Sequence, residues 1–305
     1  MDLNTLYHRT VEAWVDRVNA VPTDQWDRPT PCRRWQVRDL VNHVTGEDLW
    51  TVPLMRGARL QEVGDRFDGD LLGDEPIGRS LHAAGEATRI VAERLPEHGT
   101  VHLSYGEEQM DEYVRQLAAD HLVHAWDLAV ATGGDARLDP HLVAEVATWF
   151  AEREDLYRGA GIIGAALTPR GDAQSRLLAA FGRDPQWGPN HAAAAAFSDA
   201  FGQGDVDAVM ALMTEDCVFE ATSPAPDGTR VEGAEAVRRV WEELFAGSSE
   251  ASFTEEELFV SGDRGVLRWR YAWTGEDGVP GHVRGVDVLH LREGLVAEKL
   301  SYVKG

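Results

Sequence analysis

The residues best suited to chemistry lie in the stretch LAADHLVHAWDL, residues 117–128. Asp120 and His124 are four positions apart, and on a helix that spacing stacks a carboxylate and an imidazole on one face. His121 and Asp127 border the same face. A further histidine, His43, stands in VRDLVNHVTGEDLW, whose apolar residues also recur with a helical period. One His from one helix and an Asp-x-x-x-His from another supply three ligands for a divalent metal, with zinc or nickel the ions best matched to imidazole and carboxylate. Three protein ligands leave a position open for water or substrate, the pattern of a catalytic site. Glu47, four residues after His43, is placed to add a ligand or to support one. Cys32, in the loop before the His43 helix, is either an ordinary half-buried cysteine or a thiol facing the site. The Asp120/His124 spacing equally fits a core histidine hydrogen-bonded to its neighbour, so spacing alone leaves both readings open.

The chain that must position these groups has 305 residues, enough for two domains with a core each. A net charge of −23 argues against nucleic acid, whose phosphates call for Lys and Arg, and against an anionic membrane surface. No apolar run is long enough to span a bilayer, and the start, MDLNTLYHRTVEAW, has no continuous apolar segment of the signal-peptide kind. Cys32 and Cys217 are too few and too far apart for a disulfide framework or a cysteine zinc site, which fits a reducing cytoplasm. Abundant Ala, Arg, Asp, Gly and Val with little Lys suggests a high-GC bacterial source.

Apolar periodicity predicts helices over about 3–21, 36–51, 77–95, 111–132 and 140–152, and a last one within SRLLAAFGRDPQW. Pro22 ends the first helix, Gly133-Gly134 the fourth, and Gly182 and Pro185 the last. The Pro-rich segment PTDQWDRPTPCRRW reads as an ordered loop anchored by Trp26 and Trp35, and residues 100–104 as a short extended piece. Long amphipathic helices with polar groups on facing sides make a four-helix bundle.

Three blocks, TPCRRWQVRDLVNHV, DHLVHAWDLAVATG and SRLLAAFGRDPQW, resemble the actinobacterial branch of the DinB-like metal-binding proteins, and within it the N-terminal domain of the mycothiol-dependent maleylpyruvate isomerases. The resemblance covers roughly residues 1–187. It implies a divalent metal bound by a His on the second helix and a Glu-x-x-x-His on a later one, which fall here on His43, Asp120 and His124. Asp120 departs from the family's Glu. Being one methylene shorter, it draws the metal closer to its helix or binds it through water. The resemblance also implies mycothiol as a cosubstrate.

At Gly188-Pro189 the texture changes. Helical segments run from His191, a strand begins at 217–221, VEGAEAVRRVWEELF is a helix, and alternating stretches close the chain, an α+β pattern. Residues 190–305 resemble the SnoaL-like polyketide cyclases of the nuclear transport factor 2 fold. That likeness implies a curved antiparallel sheet closed on helices into an apolar cone, a pocket for a small molecule. Candidate pocket residues are Trp241, Trp269, Trp273, His282, Arg284 and Tyr302. Asp287, flanked by valines, reads as a buried carboxylate serving either as a general acid or base or as a structural partner of Arg270 or Arg284. Related steroid isomerases place a base Asp just after the first strand; Ala221 stands there, so that chemistry is not supported.

The expected protein is therefore a DinB-like bundle, 1–187, joined to a SnoaL-like domain, 190–305. Its expected function is a metal- and thiol-dependent transferase or isomerase acting on a small electrophile. The alternatives are cyclase, isomerase or hydrolase activity in the cone, or non-catalytic capture of a small ligand. Pairing of two copies through the SnoaL-like domain is a further expectation.

Overall fold

A computed structural model describes residues 1–161, 163–168, 170–246, 251–275 and 279–304. The chain divides into two compact units, Met1–Pro185 and Gln186–Gly305.

In the first unit, α1 (Leu3–Asn19) is capped by the Asp2 carboxylate, which accepts from the Thr5 N–H. The loop that follows is held by backbone pairing of Thr30 with Trp35 and by the Thr30 hydroxyl, which accepts from the Cys32 N–H at 3.2 Å. Thr30 is its buried anchor; Trp26 and Trp35 are only part-buried. Helix α2 (Val37–Met55) starts where the Asp39 carboxylate accepts from the Gln36 N–H. A single turn, α3 (Leu60–Val63), interrupts the connection to α4 (Pro76–Arg94). The extended piece expected near residue 100 is one arm of a small hairpin, β1 (Thr100–Leu103) and β2 (Gly106–Gln109). It leads directly into α5 (Met110–Thr132), which Gly133 closes at φ 71°. Helix α6 (Pro140–Gly159) runs about two turns beyond the expected end, and α7 (Ala173–Ala180) starts on an Asp172 cap.

Helix α1 packs on α4 and α5, and α2 packs on the same two. Their shared core contains Tyr7, Trp14, Leu40, Val44, Ile90 and Leu122. Helix α5 is buried around most of its circumference, so Glu112, His121, His124 and Asp127 lie inside the protein and not on a wet face.

The second unit holds α8 (Pro189–Gln203), α9 (Val206–Ala211), β3 (Met213–Glu220), β4 (Arg230–Glu232), α10 (Ala234–Ala246), β5 (Ser252–Ser261), β6 (Arg264–Thr274), β7 (Pro280–Arg292) and β8 (Leu295–Val303). The sheet order is β4-β3-β8-β7-β6-β5. It is mixed and not wholly antiparallel as expected, because β8 lies parallel to β3. The parallel neighbour is reached only after α10 and the antiparallel run β5–β8, a crossover long enough for such a pair. Phe197, Phe201, Phe219 and Trp241 fill the space between the helices and the sheet.

Since each unit has its own core, the fragments 1–185 and 186–305 are expected each to unfold cooperatively on heating, followed by circular dichroism. Aggregation of both would show that neither core is sufficient.

Candidate metal centre

Helices α2 and α5 bring His43, Asp120 and His124 together. The His124 Nε2 lies 3.3 Å from one Asp120 oxygen, and the His43 Nε2 lies 4.0 Å from the other. One donor atom from each residue falls within 4.8 Å of the others. The two imidazole rings meet nearly edge to face, 5.3 Å between centroids, and Trp35 covers His43 at 4.9 Å. Asp120 Oδ2 is shielded from solvent and has no hydrogen-bond partner. A buried carboxylate oxygen left without a donor beside two imidazole nitrogens is what a cation would satisfy, so this donor set fits a divalent ion.

Behind His124 lies a second layer. Its Nδ1 is 2.9 Å from Asp127 Oδ2, and Asp127 is fully buried. With Nδ1 donating to that carboxylate, Nε2 is the nitrogen left for a metal. The Arg183 Nη2 donates to Asp127 Oδ2 at 3.0 Å and to the Cys32 sulfur at 3.4 Å. Cys32, His124 and Asp127 also converge closely enough to hold an ion. A guanidinium already neutralises that set, and a dication added to it would be repelled. No hydrogen bond or ion pair joins Arg183 to His43 or Asp120 among the described residues, so that set carries no guanidinium of its own.

Burial pulls the His124 pKa down, but Asp120 and Asp127 outweigh it and hold the imidazole well above its usual value. Asp120 is held far below the carboxylate range, because His124 and His43 overcome the effect of its burial. Burial lowers His43. The two imidazoles are thus shifted in opposite directions, His124 toward its protonated form and His43 toward its neutral form. Next to them Glu47 makes no hydrogen bond or ion pair through its carboxyl among the described residues, and burial raises it to about 7. These groups line a cavity of about 430 Å³ that also reaches Tyr113, Gln116, Trp149 and Tyr157.

In the second unit Asp287 is buried, but its partner is neither Arg270 nor Arg284. The Lys299 Nζ lies 2.9 Å from Asp287 Oδ2, and the Ser301 hydroxyl donates to Oδ1 at 2.7 Å. Lys299 itself lies over the Phe201 and Phe219 rings at 5.0 and 5.1 Å. Of the expected pocket residues, Trp241 and Trp269 are buried and Trp273 stands at the strand end, 39% exposed. Three were misplaced. His282 and Arg284 are exposed, because they have the opposite parity to Asp287 on β7, and Arg284 pairs instead with Glu256. Tyr302 is 50% exposed, because a register shift between His290 and Leu291 turns Lys299 and Ser301 inward.

Two family profiles match the chain. Residues 7–129 match the mycothiol maleylpyruvate isomerase N-terminal domain, and residues 194–299 the SnoaL-like domain. The chain belongs to the mycothiol maleylpyruvate isomerase N-terminal family, fused to a SnoaL-like domain. An uncharacterized protein of Mycobacterium tuberculosis is 32% identical over 152 residues, 48% of this chain and 75% of that protein. Among solved structures, an NTF2-like protein of unknown function from Mesorhizobium loti is 33% identical, with 46% of this chain and 100% of that one covered, at a TM-score of 0.35. A putative ketosteroid isomerase from Kribbella flavida is 19% identical, with 38% and 78% covered, at a TM-score of 0.33.

Sequence reasoning gave Asp127 no role, although its position three residues after His124 carried the signal. Arg183 carried none, since it reaches the centre from after α7 through tertiary packing alone. Lys299 was hidden on a strand whose apolar residues pointed to the other parity.

Two stability measurements follow. Glu47 is an acid whose folded pKa is raised, so its contribution is fully present below about pH 4.5, is lost as pH rises through about 7, and leaves a penalty above that. Glu47→Gln is expected to stabilise the metal-free protein above pH 7, by at most about 3 kcal/mol for a shift of that size, with the gain vanishing toward pH 4.5. A gain independent of pH would contradict this. Lys299→Ala leaves Asp287 buried and unpaired and is expected to cost about 3–5 kcal/mol in denaturant unfolding, whereas Lys299→Met combined with Asp287→Leu costs much less. A Lys299→Ala cost under about 1 kcal/mol would mean that the pair is solvated.

Proposed function

We propose that the helical unit binds a divalent ion through His43, Asp120 and His124 and serves as a thiol-dependent transferase or isomerase for a small electrophile, with mycothiol as the thiol. The observation that carries this reading is the unpartnered Asp120 oxygen set beside two imidazole nitrogens on the wall of a 430 Å³ cavity. The family match supports it. A divalent ion in this site supplies positive charge that converts a thiol to its thiolate near neutral pH. The chain's own part is orientation and shielding. Asp127 fixes the His124 tautomer, and Arg183 balances the Asp127 charge in turn. Trp35 and Phe181 wall the cavity and restrict water around the reacting groups.

A rival reading puts the chemistry in the SnoaL-like unit at Asp287. It has less support, because both Asp287 oxygens are engaged by Lys299 and Ser301, and a base there must first break an internal ion pair.

Protein isolated without added metal is expected to carry about one divalent ion per chain, and stripped protein to gain thermal stability from Zn²⁺ or Ni²⁺. His124→Ala should abolish both effects. Because Asp120 and Asp127 favour the protonated form of His124, uptake should weaken as pH falls and release a proton when it occurs. No stoichiometric metal, no gain from Zn²⁺, Ni²⁺ or Co²⁺ and a silent His124→Ala would together remove the proposal.

A further inference from the structure

Beyond His43, Asp120 and His124, the cavity wall has an unusual hydrogen-bond inventory. It includes Glu47, Tyr113, Gln116, Trp149 and Tyr157. The Trp149 indole N–H donates to both oxygens of Glu112 at 3.2 Å, and the Tyr157 hydroxyl donates to the same carboxylate. The Gln116 amide gives its hydrogens to Tyr157 and Tyr105, at 3.0 and 2.8 Å. The Thr51 hydroxyl has one hydrogen and gives it to the Glu47 carbonyl at 2.8 Å, so the 3.2 Å contact between Thr51 and Tyr113 takes its hydrogen from Tyr113. Each of these four side chains has thus spent its donors on the protein. What they can offer a ligand is oxygen lone pairs and aromatic faces.

The charges point the same way. Apart from the two imidazoles of the metal centre, the only cationic side chain lining the cavity among the described residues is Arg183. It is committed to Asp127, Cys32 and the Phe181 carbonyl. Arg153 reaches Glu112 at 3.3 Å without lining the cavity. Glu47 is left as a carboxylate with no partner, four residues along α2 from His43. Glu47 is part-buried and lines the cavity, so its carboxylate is open to a ligand there.

We infer that this lobe binds an ammonium group, with Glu47 as counter-ion and the Tyr113, Trp149 and Tyr157 rings as its aromatic wall. The inference rests on the proposed function for its context: the amine belongs to the electrophilic substrate whose reacting end lies at His43, Asp120 and His124. An anionic substrate would meet no free donor here and would be repelled by Glu47. A cation gains an ion pair in a shielded site, oxygen acceptors and cation–π contact. The site therefore selects an amine-bearing electrophile over a dicarboxylate.

The test uses three probes of one shape, 2-phenylethylammonium, 2-phenylethanol and phenylacetate, titrated calorimetrically at pH 8, where Glu47 is ionised. The full chain is used, once stripped of metal and once after incubation with Zn²⁺. The cation is expected to bind about tenfold or more tightly than the neutral alcohol, and the anion most weakly. Glu47→Gln should erase that preference, and Glu47→Asp should keep part of it. Phenylacetate binding as well as the cation, a preference that survives Glu47→Gln, or no binding of the cation at millimolar concentration would each overturn the inference. Cation selectivity in a chain that takes up no zinc would uphold this lobe and remove the metal reading. Zinc uptake without selectivity would do the reverse.

Discussion

The burial of α5 is the constraint on which the first unit depends. A helix enclosed on most sides ordinarily carries apolar residues, yet this one places Glu112, Asp120, His121, His124 and Asp127 at or inside the packed interior. Each must be met by a partner, because an unpaired charge in such surroundings costs several kcal/mol. Asp127 is met by His124 and Arg183, and His121 by Asp48 and the Leu117 carbonyl. Glu112 is met by Trp149, Tyr157 and Arg153. Asp120 Oδ2, Asp48 Oδ2 and the Glu47 carboxyl have no such partner, and Asp120 and Glu47 border the same cavity. Two acidic groups without full partners thus face one space, and that space is where an ion and a ligand have something to gain.

The same partners set the protonation and orientation of the imidazole at the centre. Asp120 and Asp127 favour the protonated form of His124, a charge that a bound cation would replace. Asp127 and Arg183 hold the imidazole with its Nε2 toward Asp120, the orientation that a bound metal would require.

Much of this was legible in the sequence because helical spacing is local. Asp120, His124 and His43 could be placed on faces from periodicity, and Gly133 closes α5 where a left-handed residue was needed. What was not legible came from long-range contact or from a change of register. Arg183 lies 56 positions from Asp127, and no spacing rule links them. In the sheet, a one-residue irregularity near Leu291 exchanged the faces of β8, sending Tyr302 outward and Lys299 inward. On β7 the inner face is marked by Gly281 and Gly285, which Trp273 and Trp269 cover so closely that a Cβ at either would come within 3.0 Å of the ring. Glycines give no apolar signal, so nothing in the first half of β7 marks His282 and Arg284 as lying on the face opposite to Asp287.

The central claim is that His43, Asp120 and His124 hold a metal whose open position takes a thiol, with Cys32 outside the coordination shell. X-ray absorption at the zinc edge of the zinc-loaded protein tests it most directly. The account predicts only nitrogen and oxygen neighbours near about 2.0 Å with imidazole outer-shell scattering from two histidines, and one new sulfur at about 2.3 Å when mycothiol is added. A sulfur neighbour before any thiol is added would put the ion in the Cys32, His124 and Asp127 set instead, and an unchanged spectrum at saturating thiol would contradict the open position.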